Sequence, residues 1–344
     1  MTTLTFSRWW PGYGAAYGTG EVRLVSGAAE DGHEPGRLTH VGMFYQDQTD
    51  LLKSSQRYVQ EGMEADEPVL IAQPPAQLNR LRQMLPGARE VTYVDMTIAG
   101  RNPGRILPWV MHDFILKHPG RRVRIVGELV WPSRARPAYP ACVQHEGLLN
   151  LALEPVDAQV LCPYDITHLP PQAIDDSHVT HPFVQYGTGP VRPNDEYTPS
   201  ALADAIDQPL EPPPSGAAWT SFGWTDLRLL REQVEARAVS AGLTPNQVAA
   251  AKLAVTEAAS NAVRHGGGRG TLRTWQEAEQ MVFDVHSSLP LEDPLAGRLQ
   301  PSPDSADGRG LALINHVCDL VRVHGSKRLG TTIRMWLPVS SRRS

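Results

Sequence analysis

Between Pro190 and Gly216 the chain places prolines at 190, 193, 199, 209, 212, 213 and 214. Proline removes a backbone donor and fixes φ, so no central strand or long helix can run through this stretch. It predicts a semi-rigid spacer with at most a short helix over 200–206. That feature divides the 344 residues into two halves, about the length of two domains at ~150 residues each. Residues 1–36 are glycine-rich and without periodicity, and read as a flexible extension. The expected layout is an extension over 1–36, a domain over 37–189, a linker over 190–216 and a domain over 217–344.

The two halves differ in rhythm. In the first, short apolar runs at 39–45, 69–72, 91–94, 123–126 and 158–161 alternate with helical patterns at 50–63, 76–85, 105–118 and 140–153. Such alternation predicts an α/β domain with a parallel sheet and helices on both faces, binding ligands beyond the carboxyl ends of its strands. A G-x-x-x-x-G-K-[ST] loop is absent, so P-loop phosphate binding is not expected. In the second half, Thr244-Pro245 is an N-cap followed by proline at the first helical position. A helix over 246–264 follows, then strands at 271–275 and 281–286, a helix at 311–318 and strands at 320–324 and 331–337. Helices with a mostly antiparallel sheet make an α+β sandwich.

Charge and composition exclude several functions. Lys plus Arg is 32 and Asp plus Glu is 37, a net −5, which disfavours direct nucleic-acid binding. No apolar run reaches the ~20 residues that span a bilayer, and the start lacks a signal-peptide pattern, so a cytoplasmic location is expected. Cys142, Cys162 and Cys318 lie far apart with no C-x-x-C pair, so neither a disulfide framework nor a cysteine zinc site is expected. His40, His145 and His181 could offer metal ligands, yet no H-x-x-x-H spacing joins them. They read as core or surface histidines, and Cys162 reads as a small buried hydrophobe.

On the helix over 246–264, Glu257 and Asn261 stand four apart on one face. A carboxamide oxygen suits Mg²⁺, and a carboxylate can take a proton from an attacking hydroxyl. The same pair also fits a plain solvated helix face. Gly308-Arg309-Gly310-Leu311-Ala312 then opens a helix, where backbone amides can approach phosphate, and Gly330-Thr331-Thr332 begins the last strand. In order and spacing these elements resemble the histidine-kinase-like ATPase (GHKL, Bergerat) fold, and within it the anti-sigma-factor serine kinases.

The resemblance implies Glu257 as catalytic base, Asn261 as Mg²⁺ ligand, Gly308 and Gly310 at the phosphates of ATP, and Thr332 near the nucleotide. It also implies a homodimer and a sigma factor or an anti-sigma-factor antagonist as partner. The family's Asp-x-Gly-x-Gly is altered here: Ser287 takes the place of the Asp that binds adenine, and Leu289 the place of the first glycine. An alternative register uses Asp284, leaving His286 and Ser288 where glycines belong. Losing the ionised acceptor predicts weak ATP binding and leaves two functions open, a serine protein kinase and a non-catalytic interaction module.

In the first half, His40-Val41-Gly42-Met43-Phe44-Tyr45, Gly127-Glu128-Leu129-Val130-Trp131-Pro132, His145-Glu146-Gly147-Leu148-Leu149-Asn150 and Leu161-Cys162-Pro163-Tyr164-Asp165 resemble the DcmR-type sensory family (MEDS). That resemblance implies a RecA-like sheet and a sensor for a small-molecule signal. Glu128 and Glu146 are its candidate ligand groups, either converging near a strand-end crevice or capping helices and pairing with Arg124 and Arg134.

Overall fold

The computed structural model describes residues 36–85, 91–134, 136–300 and 309–339. Contacts divide the chain into two compact units. One comprises Met1–Ile98, Asp113–Arg134 and Glu146–Ala205, and the other Ala99–His112, Ala135–His145 and Ile206–Ser344.

In chain order the first half runs β1 (Thr39–Tyr45), α1 (Gln48–Glu64), β2 (Val69–Gln73), α2 (Pro75–Met84), β3 (Val91–Asp95), α3 (Met96–Ala99), α4 (His112–Leu116), β4 (Val123–Gly127), α5 (Tyr139–Ala152), β5 (Ala158–Asp165), α6 (Pro171–Thr180), β6 (Phe183–Tyr186), β7 (Arg192–Pro193) and α7 (Pro199–Ile206). The sheet order is β3-β2-β4-β5-β1-β6-β7, parallel except for β7, which runs antiparallel at the edge. Side chains alternate between sheet faces with period two. Val41, Met43 and Tyr45 of β1 therefore pack with Leu51 and Tyr58 of α1, while His40, Gly42 and Phe44 point to the other face. Asp47 starts α1 by accepting from the amides of Thr49 and Asp50 at 2.7 and 3.0 Å.

The single helix expected over 105–118 is broken. A 3₁₀ turn (Pro103–Arg105) and a π-helical turn (Leu107–Met111) precede α4. Pro108 lacks the N–H that a regular α-helical ladder needs, and a wider turn accommodates the loss. Within 190–216, β7 and α7 are formed and Leu202 and Ala205 are buried. Pro193 sits on an edge strand and Pro199 at a helix start, the positions that tolerate proline, and the other prolines lie outside both elements.

The second half runs β8 (Ala218–Gly223), α8 (Leu227–Ser240), α9 (Pro245–Arg264), β9 (Arg269–Glu277), β10 (Gln280–Ser287), α10 (Arg309–Val317), β11 (Leu320–Ser326) and β12 (Gly330–Pro338). Its sheet, β11-β12-β10-β9-β8, is antiparallel throughout. Met281, Phe283 and Val285 of β10, with Ile333, Met335 and Leu337 of β12, pack against Val248, Val255 and Ala259 of α9. Burying a side chain such as Phe283, which is fully enclosed, contributes about 1.5–3 kcal/mol. Thr244 and Gln247 form a reciprocal capping box at the start of α9, with Pro245 at its first turn.

The opposite face of this sheet carries Trp275, Val282, Leu320 and Trp336, packed with Ala138 and Ala141 of the same unit. Asp284 is wholly buried there. Arg334 Nε donates to it at 2.8 Å, and Arg273 donates at 3.4 Å. The Arg334 guanidinium also lies 4.9 Å from the centre of the Trp275 ring. The molecule is thus α/β, with a mostly parallel sheet in one unit and an antiparallel sheet layered with helices in the other.

Candidate functional site

Four polar side chains meet inside the first unit. His40 comes from β1, Glu146 from α5, Cys162 from β5, and His181 from the residue after α6. All four are at least 98% buried, and their ligand-type atoms lie within 4.8 Å of one another. Glu146 Oε2 is 3.3 Å from His40 Nε2, 3.6 Å from Cys162 Sγ and 3.7 Å from His181 Nε2; Cys162 Sγ is 3.4 Å from His40 Nε2. Gly42 makes the room, since a Cβ there would come within 3.2 Å of the His181 ring.

A second layer orients these groups. Asn150, one turn beyond Glu146, donates through Nδ2 to the carbonyls of Glu146, Gly147 and Thr180, so its Oδ1 accepts from His40 Nδ1 at 3.0 Å. His181 Nδ1 donates to the Ser177 carbonyl at 2.7 Å. Both rings therefore carry Nδ1–H and turn the Nε2 lone pair toward Glu146. Tyr164 Oη donates to Glu146 Oε1 at 3.4 Å. Burial lowers His40 to about 4 against the Asn150 hydrogen bond, and lowers His181 to about 3 with help from neighbouring His40. Burial and then the Glu146 carboxylate raise the Cys162 thiol.

The reading of these residues from sequence is corrected in one respect. His40 and His181 are core histidines, as expected, but they converge with Cys162, whose thiol faces polar groups rather than apolar neighbours. His145 is outside the cluster. Positions 40, 146, 162 and 181 are too far apart for any local spacing to join them. The available signal was parity, because His40 and Cys162 are polar at sheet positions that point into a core.

Glu128 and Glu146 have separate surroundings. Glu128 follows β4, where its amide donates to the Ala72 carbonyl, and its carboxyl lies 3.5 Å from Gln73 Nε2. Burial, reinforced by the Asp165 carboxylate, pushes Glu128 up to about 8. Asp165 is held low in spite of partial burial, by hydrogen bonds from Thr167 and His168. Gln73, Glu128 and Asp165 mark the carboxyl ends of β2, β4 and β5. The alternative pairing with Arg124 is not found among the described residues, since Arg124 donates to Glu67 and Glu61.

In the second unit Glu257 and Asn261 are half-buried on α9. A Cβ at Gly310 would lie 3.0 Å from Glu257 Oε2 and 3.3 Å from Asn261 Nδ2, so the start of α10 abuts both. Gly308 lies outside the described residues. Ser287, at the end of β10, faces the helices and touches Gly266 just beyond α9. Two placements revise the sequence reading. Asp284 is on the opposite sheet face, held by Arg334 and Arg273, so the alternative register for the adenine contact fails on parity. Thr332 is also on that face, 3.1 Å from His286 Nδ1, while neighbouring Thr331 shares the face of Ser287 and donates to the Leu289 carbonyl at 2.7 Å. Leu289, which stands where the resemblance places a glycine, is 49% exposed.

Residues 39–182 match the family model for the methanogen/methylotroph DcmR sensory domain, MEDS. Residues 224–337 match the model for the histidine kinase-like ATPase domain. No curated protein matches the chain. Among the described residues, no helix is long and apolar enough to cross a membrane. A sensory domain joined to a histidine kinase-like domain makes this a regulatory signalling protein. The chain carries a MEDS domain over 39–182 and a histidine kinase-like ATPase domain over 224–337.

Proposed function

We propose that the chain is a bacterial transcription regulator of the anti-sigma-factor type, acting in the cytoplasm as a homodimer. Its ATPase-like domain binds a sigma factor or an anti-sigma-factor antagonist, and its sensory domain governs that binding in response to a small molecule. The observation that carries the reading is the state of the ATPase-like site. Glu257, Asn261 and Gly310 stand together, but among the described residues of β10 and β12 no carboxylate shares the helix-facing side at Ser287. An adenine amino group would meet a neutral hydroxyl there, and charge-assisted hydrogen bonds are roughly twice as strong as neutral ones. Partner binding without tight ATP binding follows.

The signal is read where Gln73, Glu128 and Asp165 cluster at the strand ends, the position at which open parallel sheets take ligands. A protonated Glu128 offers a hydrogen bond to a neutral polar ligand.

Glu257 favours a second reading, a serine protein kinase using ATP and Mg²⁺ through Asn261, because a carboxylate beside Asn261 and Gly310 suits a general base. One experiment separates the two. The intact chain is immobilised and probed with each purified sigma factor and antagonist of its source bacterium, with and without Mg-ATP. Retention of one partner regardless of nucleotide is expected. Phosphate transfer to a serine of the antagonist would establish the kinase instead, and retention of none would refute the anti-sigma reading.

A further inference from the structure

The His40, Glu146, Cys162 and His181 cluster contains more lone pairs than protons. Nδ1 of each histidine already donates, His40 to Asn150 and His181 to the Ser177 carbonyl, which leaves both Nε2 atoms as acceptors. The Glu146 carboxylate is an acceptor too, and Tyr164 satisfies only its outer oxygen, Oε1. The Cys162 thiol supplies one proton to three acceptors. His181 Nε2 has no hydrogen-bond partner among the described residues, although His181 is fully buried. Buried polar groups left unpaired are costly, and three facing one another are more so.

From this geometry we infer that the sensory domain binds one zinc ion through His40 Nε2, Glu146 Oε2, Cys162 Sγ and His181 Nε2. Tetrahedral zinc with ligand bonds of ~2.0–2.3 Å sets its ligand atoms about 3.3–3.8 Å apart. Four of the six separations, 3.3, 3.4, 3.6 and 3.7 Å, fall in that range, and all six lie within 4.8 Å. The charges also balance. A thiolate and a carboxylate neutralise Zn²⁺, two neutral imidazoles complete the set, and the enclosed site carries no net charge. Binding releases the Cys162 proton to solvent. The mixed nitrogen, sulfur and oxygen donors suit zinc and disfavour Mg²⁺ or Ca²⁺, which take oxygen ligands.

The second layer is that of a metal site. Each histidine gives its other N–H to an oxygen, fixing tautomer and ring direction, and Tyr164 steadies the carboxylate. With four protein ligands the centre is closed, so it organises the sheet, α5 and α6 rather than presenting a bound water. The inference rests on the first unit alone and stands whether or not the ATPase-like domain holds ATP.

Metal-stripped intact chain titrated with Co²⁺ tests it. Expected are the intense visible bands of tetrahedral cobalt and a thiolate-to-cobalt charge-transfer band, saturating at about one equivalent and erased by Zn²⁺. Cys162→Ala, a small-for-small change, should lose the charge-transfer band. His181→Gln, checked for folding by near-ultraviolet circular dichroism, should weaken cobalt binding at least about tenfold. Folded wild-type chain that leaves Co²⁺ with its aqueous spectrum would overturn the site. So would a charge-transfer band that survives in Cys162→Ala, or cobalt affinity unchanged in folded His181→Gln.

Discussion

Two of the buried polar clusters among the described residues, one in each unit, are completed differently. Asp284 with Arg334 and Arg273 is an anion among cations, so every charge has a protein partner. His40, Glu146, Cys162 and His181 are acceptors facing acceptors around a single thiol proton. The first arrangement needs nothing from outside and is structural. The second is complete only with a cation, which marks it as a site. The ATPase-like constellation differs from both, since Glu257 and Asn261 are only partly buried.

The contrast is sharpest if the self-sufficient cluster is broken. Asp284→Ala leaves Arg334 buried without its anion and should cost roughly 3–5 kcal/mol in chemical denaturation. Because Asp284 lies on the sheet face away from α9, partner binding by the folded fraction should be unchanged.

Glu128 should give the next largest effect. Its carboxyl titrates from 4.5 without perturbation to about 8 in the folded state. Its stabilising contribution is therefore fully present below the unfolded value and lost as pH rises through the folded one. Stability should fall by up to about 1.4 kcal/mol per pH unit across that window. Glu128→Gln keeps the neutral shape, so denaturation curves across the window should lose this slope, and the variant should exceed the wild type by a few kcal/mol at the alkaline end.

Restoring the adenine acceptor comes third. Ser287→Asp with Leu289→Gly should tighten Mg-ATP binding about ten- to hundredfold, or roughly 1.5–3 kcal/mol, by calorimetry. Gly310→Ala is the smallest. Its methyl would press on Glu257 and Asn261 at 3.0 and 3.3 Å. Stability should stay within about 1 kcal/mol, because alanine also favours the helix. In the doubly substituted background the same methyl should reduce Mg-ATP affinity several-fold.

Much of this was legible from period and punctuation. The strand at 39–45, the proline-capped helix of Glu257 and Asn261, and the strands around it follow from alternating apolar residues and one capping box. What escaped depended on tertiary arrangement. β8 and β6 are too short or too polar to announce themselves, with only one of six β8 residues buried. Thr332 was one residue off in parity, which reverses its sheet face and leaves Thr331 on the side of Ser287. The histidine and cysteine cluster drew on four elements spread over more than a hundred residues, and only folding brings its lone pairs together.

The central contrast is between a sensory-domain cluster that a cation would complete and an ATPase-like domain with Ser287 where the resemblance expects an aspartate. Calorimetric titration of Mg-ATP into the intact chain tests the second half directly. Heat consistent with a Kd weaker than about 100 μM, or no binding heat, is expected from a neutral Ser287 at the strand end. A Kd on the order of 1 μM would contradict it, because an intact adenine contact would then have to exist although no described residue of β10 or β12 puts a carboxylate on that face.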